Sequence, residues 1–317
     1  AITHTLPPSP APSLSPSSFD EQAYGAAEQD YRFQIFKKNT DYVREHNADA
    51  SQTFMVGPNQ FSDMSNEEFK ATMMGLKKNP NFGNGSKMVK TGVAKDSVDW
   101  RANGAVTPVK NQGQCGSCWA FSTTGSTEGA NQISTGTLTS VSEQQLVDCS
   151  KAEGNMGCNG GLMDNGFKYI EKQPLCTEDS YPYTAKDGIC DISTCKSGTT
   201  VGIGGYQDVD KQDEAALAEA VSKGPVSIAI EADQQAFQFY KSGVFSKACG
   251  TQLDHGVLIV GYGVEDSQKY WIVKNSWGAT WGDSGYIMMA KDVASKSGTC
   301  GLAMQPSYPT VASTKRN

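Results

Sequence analysis

From residue 19 to residue 47 the polar and apolar positions keep a helical beat. Glu28, Arg32, Phe36, Asn39, Val43 and Asn47 follow one another at spacings of 4, 4, 3, 4 and 4 and so share one face. Glu28 and Arg32 stand one turn apart and can pair. Burial against a partner surface explains the apolar members, but asparagine is an indifferent helix former, so Asn39 and Asn47 are not there for helicity. The run Gly57-Pro58-Asn59-Gln60-Phe61-Ser62-Asp63 predicts a turn into a short extended segment, and Ser65-Asn66-Glu67-Glu68 starts a second helix. Residues 77 to 86, polar and rich in Asn and Gly, predict an exposed linker.

A compact domain should begin near residues 94 to 99. Helical patterns cover 118 to 133, 142 to 147 and 161 to 171. The second half differs: 225 to 230, 255 to 262, 269 to 274 and 285 to 290 are short apolar or alternating runs bounded by Gly, Asp and Ser, the mark of antiparallel strands. An α+β domain with a helical lobe and a sheet or barrel lobe is expected, without internal repeats. Residues 1 to 18, crowded with Pro and Ser, are expected to take no fixed structure.

Composition narrows the setting. At 317 residues and 38% apolar content, core size does not limit folding. Nine cysteines in such a chain therefore speak of an oxidising compartment, and lysosome, vacuole or cell exterior is the expected address. No stretch approaches the roughly 18 to 20 apolar residues of a membrane span. Ala1 is not preceded by a charged and apolar leader, so a signal peptide is expected to have been removed. A net charge of -7 argues against a nucleic-acid partner. Residues 1 to 93 carry 9 basic and 10 acidic side chains against 18 and 24 in residues 94 to 317, so the acidity sits in the second part and suits an acidic organelle. Asn84-Gly85-Ser86 is the one match to a glycosylation acceptor.

The chemistry centres on Gln112-Gly113-Gln114-Cys115-Gly116-Ser117-Cys118-Trp119, which offers an amide donor, a thiol and a helix start together. Nine is odd; if eight cysteines pair, one thiol is left over, and Cys118 is the candidate. An ordinary thiol is ionised to only about 3 parts in 10,000 at pH 5, so an attacking thiolate needs a helix N-terminus and an imidazolium beside it. The histidines are His4, His46 and His255, and only His255 falls in the compact domain, opening a strand. Asn275, in Lys274-Asn275-Ser276-Trp277-Gly278, can fix the ring, with Trp277 and Trp281 keeping water from that bond.

These residues resemble the papain family of cysteine proteases, in its cathepsin L-like branch and in proenzyme form. Cys-Gly-Ser-Cys-Trp is that family's local signature, with His and Asn some 130 to 150 residues downstream; here they follow Cys118 by 137 and 157. Gly157-Cys158-Asn159-Gly160-Gly161, Trp281-Gly282 and Ser307-Tyr308-Pro309 extend the resemblance, as do the first-helix stripe and residues 57 to 63, over about residues 20 to 310. It implies a two-lobed catalytic domain at 94 to 317, with a helical lobe at about 104 to 205 and an antiparallel β-barrel lobe at about 206 to 305, behind a mainly helical inhibitory propeptide at 19 to 93. It implies Cys118 as nucleophile, His255 as base and then acid, Asn275 as orienter, and Gln112 with the Cys118 backbone N–H as the oxyanion site. The specificity pocket would be walled by Leu162, Met163, Ala229, Leu253 and Gly256 with Gln305 at its end, while Gly161 presents its backbone to the peptide and Trp277 lines the site. Such walls favour Leu, Phe or Val, and neutral Gln305 offers Arg no counter-ion.

The family framework pairs Cys115 with Cys158, Cys149 with Cys190 and Cys249 with Cys300, leaving Cys176 with Cys195; an exchange of Cys190 and Cys195 stays open. Val43 stands where Ile is commoner, Gln305 is polar, and the extra cysteine pair is not universal. Without a two-histidine insertion, endopeptidase action on proteins and peptides by a monomer is expected. A zinc site at Cys115-x-x-Cys118 lacks a second ligand pair, and a redox module lacks its βαβ context, so neither metal nor cofactor is expected. An inactive binding protein on the same fold would be expected to lack Cys118, His255 or Asn275, and all three are present.

Overall fold

The computed structural model describes residues 24–196, 198–247 and 249–311, so the Pro/Ser-rich stretch 1 to 18 lies outside the described residues. The chain opens with the long helix α1 (Ala26–Ala48), the short strand β1 (Phe54–Val56) and helix α2 (Asn66–Met73). α2 starts where Ser65 and Glu68 cap each other's backbone amides. The two asparagines of α1 hold the chain that follows. Asn39 Nδ2 donates to the Ser62 and Met64 carbonyls at 2.9 and 3.0 Å, and Asn47 exchanges bonds with Val56 in both directions. The extended segment precedes Gly57 instead of following it. Residues 59 to 62 form a turn, because Asn59 Oδ1 takes the Phe61 amide and Ser62 Oγ takes that of Asn59.

After β2 (Val98–Asp99) come α3 (Cys118–Thr135), α4 (Glu143–Cys149) and α5 (Met163–Lys172), the helical lobe. α3 ends at Gly136 in the left-handed conformation, which glycine adopts without strain. Its first twelve residues are buried, so it runs through the middle of the molecule. Leu146, Val147, Phe167 and Ile170 pack beside Trp119 as this lobe's core.

The remaining elements are β3 (Gly205–Asp208), α6 (Glu214–Val221), β4 (Val226–Ile230), α7 (Gln235–Gln238), β5 (Tyr240–Phe245), β6 (His255–Glu265), β7 (Gln268–Lys274), β8 (Tyr286–Ala290) and β9 (Ser307–Thr310). The strands pair in the order β1-β5-β8-β7-β6-β4-β9-β3, with β2 also on β6. This is an open sheet, not the expected closed antiparallel barrel, and β5 runs parallel to β8. Closure fails for a physical reason: β3 turns toward the helical lobe, where Tyr206 stacks on Phe167 of α5, and β1 covers the other end by pairing with β5. Residues 77 to 86 are exposed in most side chains yet lead into a pinned backbone, for Asp208 N donates to Ser86 O and Met88 N to Asp208 O.

Candidate active site

Sequence places Cys118 as the first residue of α3, with Ser117 in the N-cap position. Its thiol is the free one among the described cysteines, and it is fully buried. The other eight pair as Cys115 with Cys158, Cys149 with Cys190, Cys176 with Cys195, and Cys249 with Cys300. The first of these ties the loop before α3 to the glycine-rich loop before α5.

His255 opens β6, and the next amide, Gly256 N–H, donates to Cys118 Sγ at 3.4 Å, which sets the start of β6 on the thiol. His255 Nε2 lies 2.8 Å from Asn275 Oδ1, and the ring stacks on Trp277 at 4.6 Å and 27°. Asn275 Oδ1 also accepts from Ser276 N–H, so it is the acceptor in both bonds and Nε2 carries the ring proton. Nδ1 is then the bare nitrogen of a neutral imidazole; it is buried and bonds to nothing among the described residues.

Gln112 is buried and its amide is oriented from both ends. Ser276 Oγ donates to Oε1 at 2.7 Å, leaving Nε2 to donate to the Cys115 carbonyl at 3.0 Å and the Met73 carbonyl at 3.1 Å. Met73 belongs to the N-terminal segment, which continues across the site. Gly75 N–H and Leu76 N–H donate to Asp254 O, Gly161 N–H donates to Gly75 O, and Lys77 N–H to Gly161 O. Leu76 and Gly161 form an isolated parallel β-bridge.

Leu76 and Leu253 both pack onto the cluster that contains Trp119, Met163 and Ala229, so three of the pocket residues named from sequence share one apolar cluster with Leu76. Leu162 and Gln305 are half-buried and lie outside that cluster. Phe61 and Phe69 stand edge-on to Trp277 at 5.6 and 5.2 Å, and Phe61 with Phe69 at 5.2 Å. Each such buried ring contributes roughly 1.5 to 3 kcal/mol from area alone.

Burial sets the electrostatics of this covered state. It pushes the Cys118 thiol up to about 11 against the amides of Gly256, Gly75 and Trp119, and it lowers the His255 imidazole to about 4 against the Asn275 bond. Both groups are therefore neutral here, where helix start and imidazole alone would favour the ion pair. Sequence reasoning passed over Ser276, which grips both Asn275 and Gln112, and Asp254, whose carbonyl receives the crossing segment. Their places beside Asn275 and His255 were the available signal.

A family model described as papain family cysteine protease matches residues 94–310, and one described as cathepsin propeptide inhibitor domain matches residues 20–69. The chain belongs to the papain family of cysteine proteases and carries a propeptide ahead of the enzyme, as a zymogen does. It is 50% identical over 296 residues to the probable cysteine protease RDL2 of Arabidopsis thaliana, covering 91% of this chain and 82% of that protein. Among solved structures it is similar to a recombinant stem bromelain precursor, at 41% identity and a TM-score of 0.85 over 92% of this chain and 95% of that one. A digestive procathepsin L 3 of Tenebrio molitor larval midgut matches at 42% identity and a TM-score of 0.84, again over 92% and 95%. Among the described residues no helix is long and apolar enough to cross a membrane, and no cluster of His, Cys, Asp and Glu could hold a metal ion.

Proposed function

We propose that the chain is the latent form of an endopeptidase that cleaves after an apolar residue in the second position before the scissile bond, and that acid releases it. The observation that carries this reading is Leu76, bridged to Gly161 and packed on the apolar cluster that holds Met163 and Ala229, while the Met73 carbonyl occupies the Gln112 amide. The enzyme's own covering segment thus puts an aliphatic side chain and a peptide carbonyl where a substrate would put them.

Once the cover leaves, His255 Nδ1 takes the Cys118 proton and the thiolate attacks the peptide carbonyl. The developing oxyanion is met by Gln112 Nε2 and the Cys118 N–H, one such donor being worth about 3 to 4 kcal/mol of barrier. The imidazolium returns its proton to the leaving amine, and water then repeats the sequence on the acyl-enzyme. Asn275 holds the ring proton on Nε2 throughout. Domain limits of 19 to 93 for the propeptide and 94 to 317 for the enzyme fit Val93, 71% exposed, between one backbone anchor at Thr91 and another at Lys95. Passage through the secretory pathway to a lysosome, vacuole or the exterior agrees with four disulfides, and Asn84 is exposed, as a glycan acceptor must be.

The test is to lower the pH of the purified proenzyme, sequence the new N-terminus, and assay peptides varied at the second position. Release near residue 94 with Leu, Phe or Val preferred over Arg is expected. Arg cleaved as fast as Leu would sink the pocket assignment, and processing equally fast at neutral pH would sink acid release.

A further inference from the structure

Tyr183 stands outside every motif the sequence offered, yet its hydroxyl joins two walls of the site. It donates to the Gln112 backbone carbonyl at 2.8 Å and lies 2.6 Å from Ser117 Oγ. Its single proton is committed to Gln112, so Ser117 is the donor in the second bond, and the relay runs Ser117 Oγ–H to Tyr183 Oη–H to the Gln112 carbonyl. Burial first raises the phenol's pKa, so it keeps that proton.

Ser117 explains why this matters. A serine before a helix ordinarily turns its hydroxyl onto the first-turn amides, but Ser117 makes no such cap. Its hydroxyl lies 2.6 Å from Tyr183 and, more distantly, 3.5 Å from the Cys115 carbonyl, and the first-turn amides of α3 stay uncapped by it. Gln112, for its part, lies in a loop and not in a helix or strand. Ser276 holds its backbone N–H and its Oε1, and Tyr183 holds its carbonyl, so the peptide is gripped on both faces. The tyrosine is itself fixed: Phe121 meets its ring edge-on at 4.9 Å, and Glu178 Oε1 takes its N–H at 2.8 Å.

We infer that Tyr183 is a positioning residue for the oxyanion site, bracing Gln112 against Ser117 so that Gln112 Nε2 meets the developing charge without rearranging. The inference rests on the reading of Gln112 as an oxyanion donor. Preorganisation of this kind acts on the transition state and leaves substrate binding alone.

The experiment is a double-mutant cycle on the acid-processed enzyme with a peptide amide substrate, using Tyr183→Phe, Gln112→Ala and the pair. Tyr183→Phe removes one oxygen and should lower kcat about tenfold with KM unchanged. Capture of Cys118 by a pyridyl disulfide, a reaction that forms no oxyanion, should stay within twofold. In the Gln112→Ala background the tenfold loss should shrink to twofold or less. An undiminished loss there, a loss of thiol capture equal to the loss of kcat, or an unchanged kcat each overturns the inference. Near-normal turnover in Gln112→Ala alone would instead remove Gln112 from the site, a separate failure. If Tyr183→Phe does not fold, Ser117→Ala removes the relay's donor and leaves the ring; an unchanged kcat there overturns the inference as well.

Discussion

Gly75 is the sharpest handle on latency. Its N–H goes to Asp254 O at 3.2 Å and its carbonyl takes the Gly161 N–H at 3.0 Å, so both lobes fix its backbone. A β carbon built there overlaps the Gly116 carbonyl, which is backbone and cannot swing aside. Overpacking of this kind costs about 1 to 3 kcal/mol. In Gly75→Ala the cost falls on the closed state alone, because the open state separates residue 75 from Gly116. At about 1.4 kcal/mol per decade, the open fraction should rise about 5- to 150-fold. The buried Cys118 thiol reports that fraction directly, since a pyridyl disulfide reaches it only when the cover lifts. The rate of capture in the intact proenzyme at neutral pH is the readout, with Gly25→Ala, where a β carbon meets nothing within 4 Å, as the control. Capture within twofold of the unmodified rate, or the same gain in the control, would refute the close-approach reasoning.

Two further outcomes are expected. Partial burial works to raise the Glu68 carboxyl, but the Ser65 amide and Arg32, 2.9 Å away, together hold it below its ordinary value. A depressed carboxyl adds stability present above about pH 4.3 and lost as the pH falls through the lowered value, so Glu68→Gln should cost up to about 1 kcal/mol at pH 6 and flatten the acid limb in thermal unfolding of the proenzyme. Lys110 Nζ lies 2.9 Å from Glu128 and 2.7 Å from Glu143, both almost wholly buried, and Lys110→Met should destabilise by about 3 to 5 kcal/mol. Burial already pushes the Glu143 carboxyl above its ordinary value, against the pull of Lys110. A raised carboxyl favours the fold at low pH and loses that advantage as the pH rises, so denaturant midpoints should show a larger Lys110→Met penalty at pH 8 than at pH 5.

The helices α3, α4 and α5 and the strands β4, β6, β7 and β8 were legible because their signals are local: a cap, a period, a bounding glycine. The first-helix asparagines were legible as misfits, and the structure supplies their contacts at residues 56, 62 and 64. β3 and β9 were not, since Gly-Tyr-Gln-Asp and Ser-Tyr-Pro-Thr carry no alternating apolar pattern and become strands by distant pairing, β9 between β4 and β3. The open sheet was hidden for a similar reason: closure depends on where β3 and β1 end up, which no local pattern encodes. Tyr183 lay beyond reach entirely, because 71 residues separate it from Gln112 and only the fold brings its hydroxyl there.

The covered site also bears on where acid acts. With the thiol near 11 and the imidazole near 4, the closed pair holds one proton between pH 5 and 7, on sulfur. The proposed working pair, thiolate with imidazolium, also holds one. Opening therefore moves a proton within the pair and takes none from solvent, and linkage assigns it no pH dependence over that range. Asp254 receives the amides of residues 75 and 76 on its backbone carbonyl, while its carboxyl, pushed up to about 7 by burial first, is held by the Ala232 amide and so does not carry the bond to the cover. Glu68 has the right sign, but its contribution is lost only below about pH 4.3. The acid midpoint of processing should therefore fall near the carboxylate range and not near 6.5, and a midpoint at 6.5 or above would refute a carboxylate trigger.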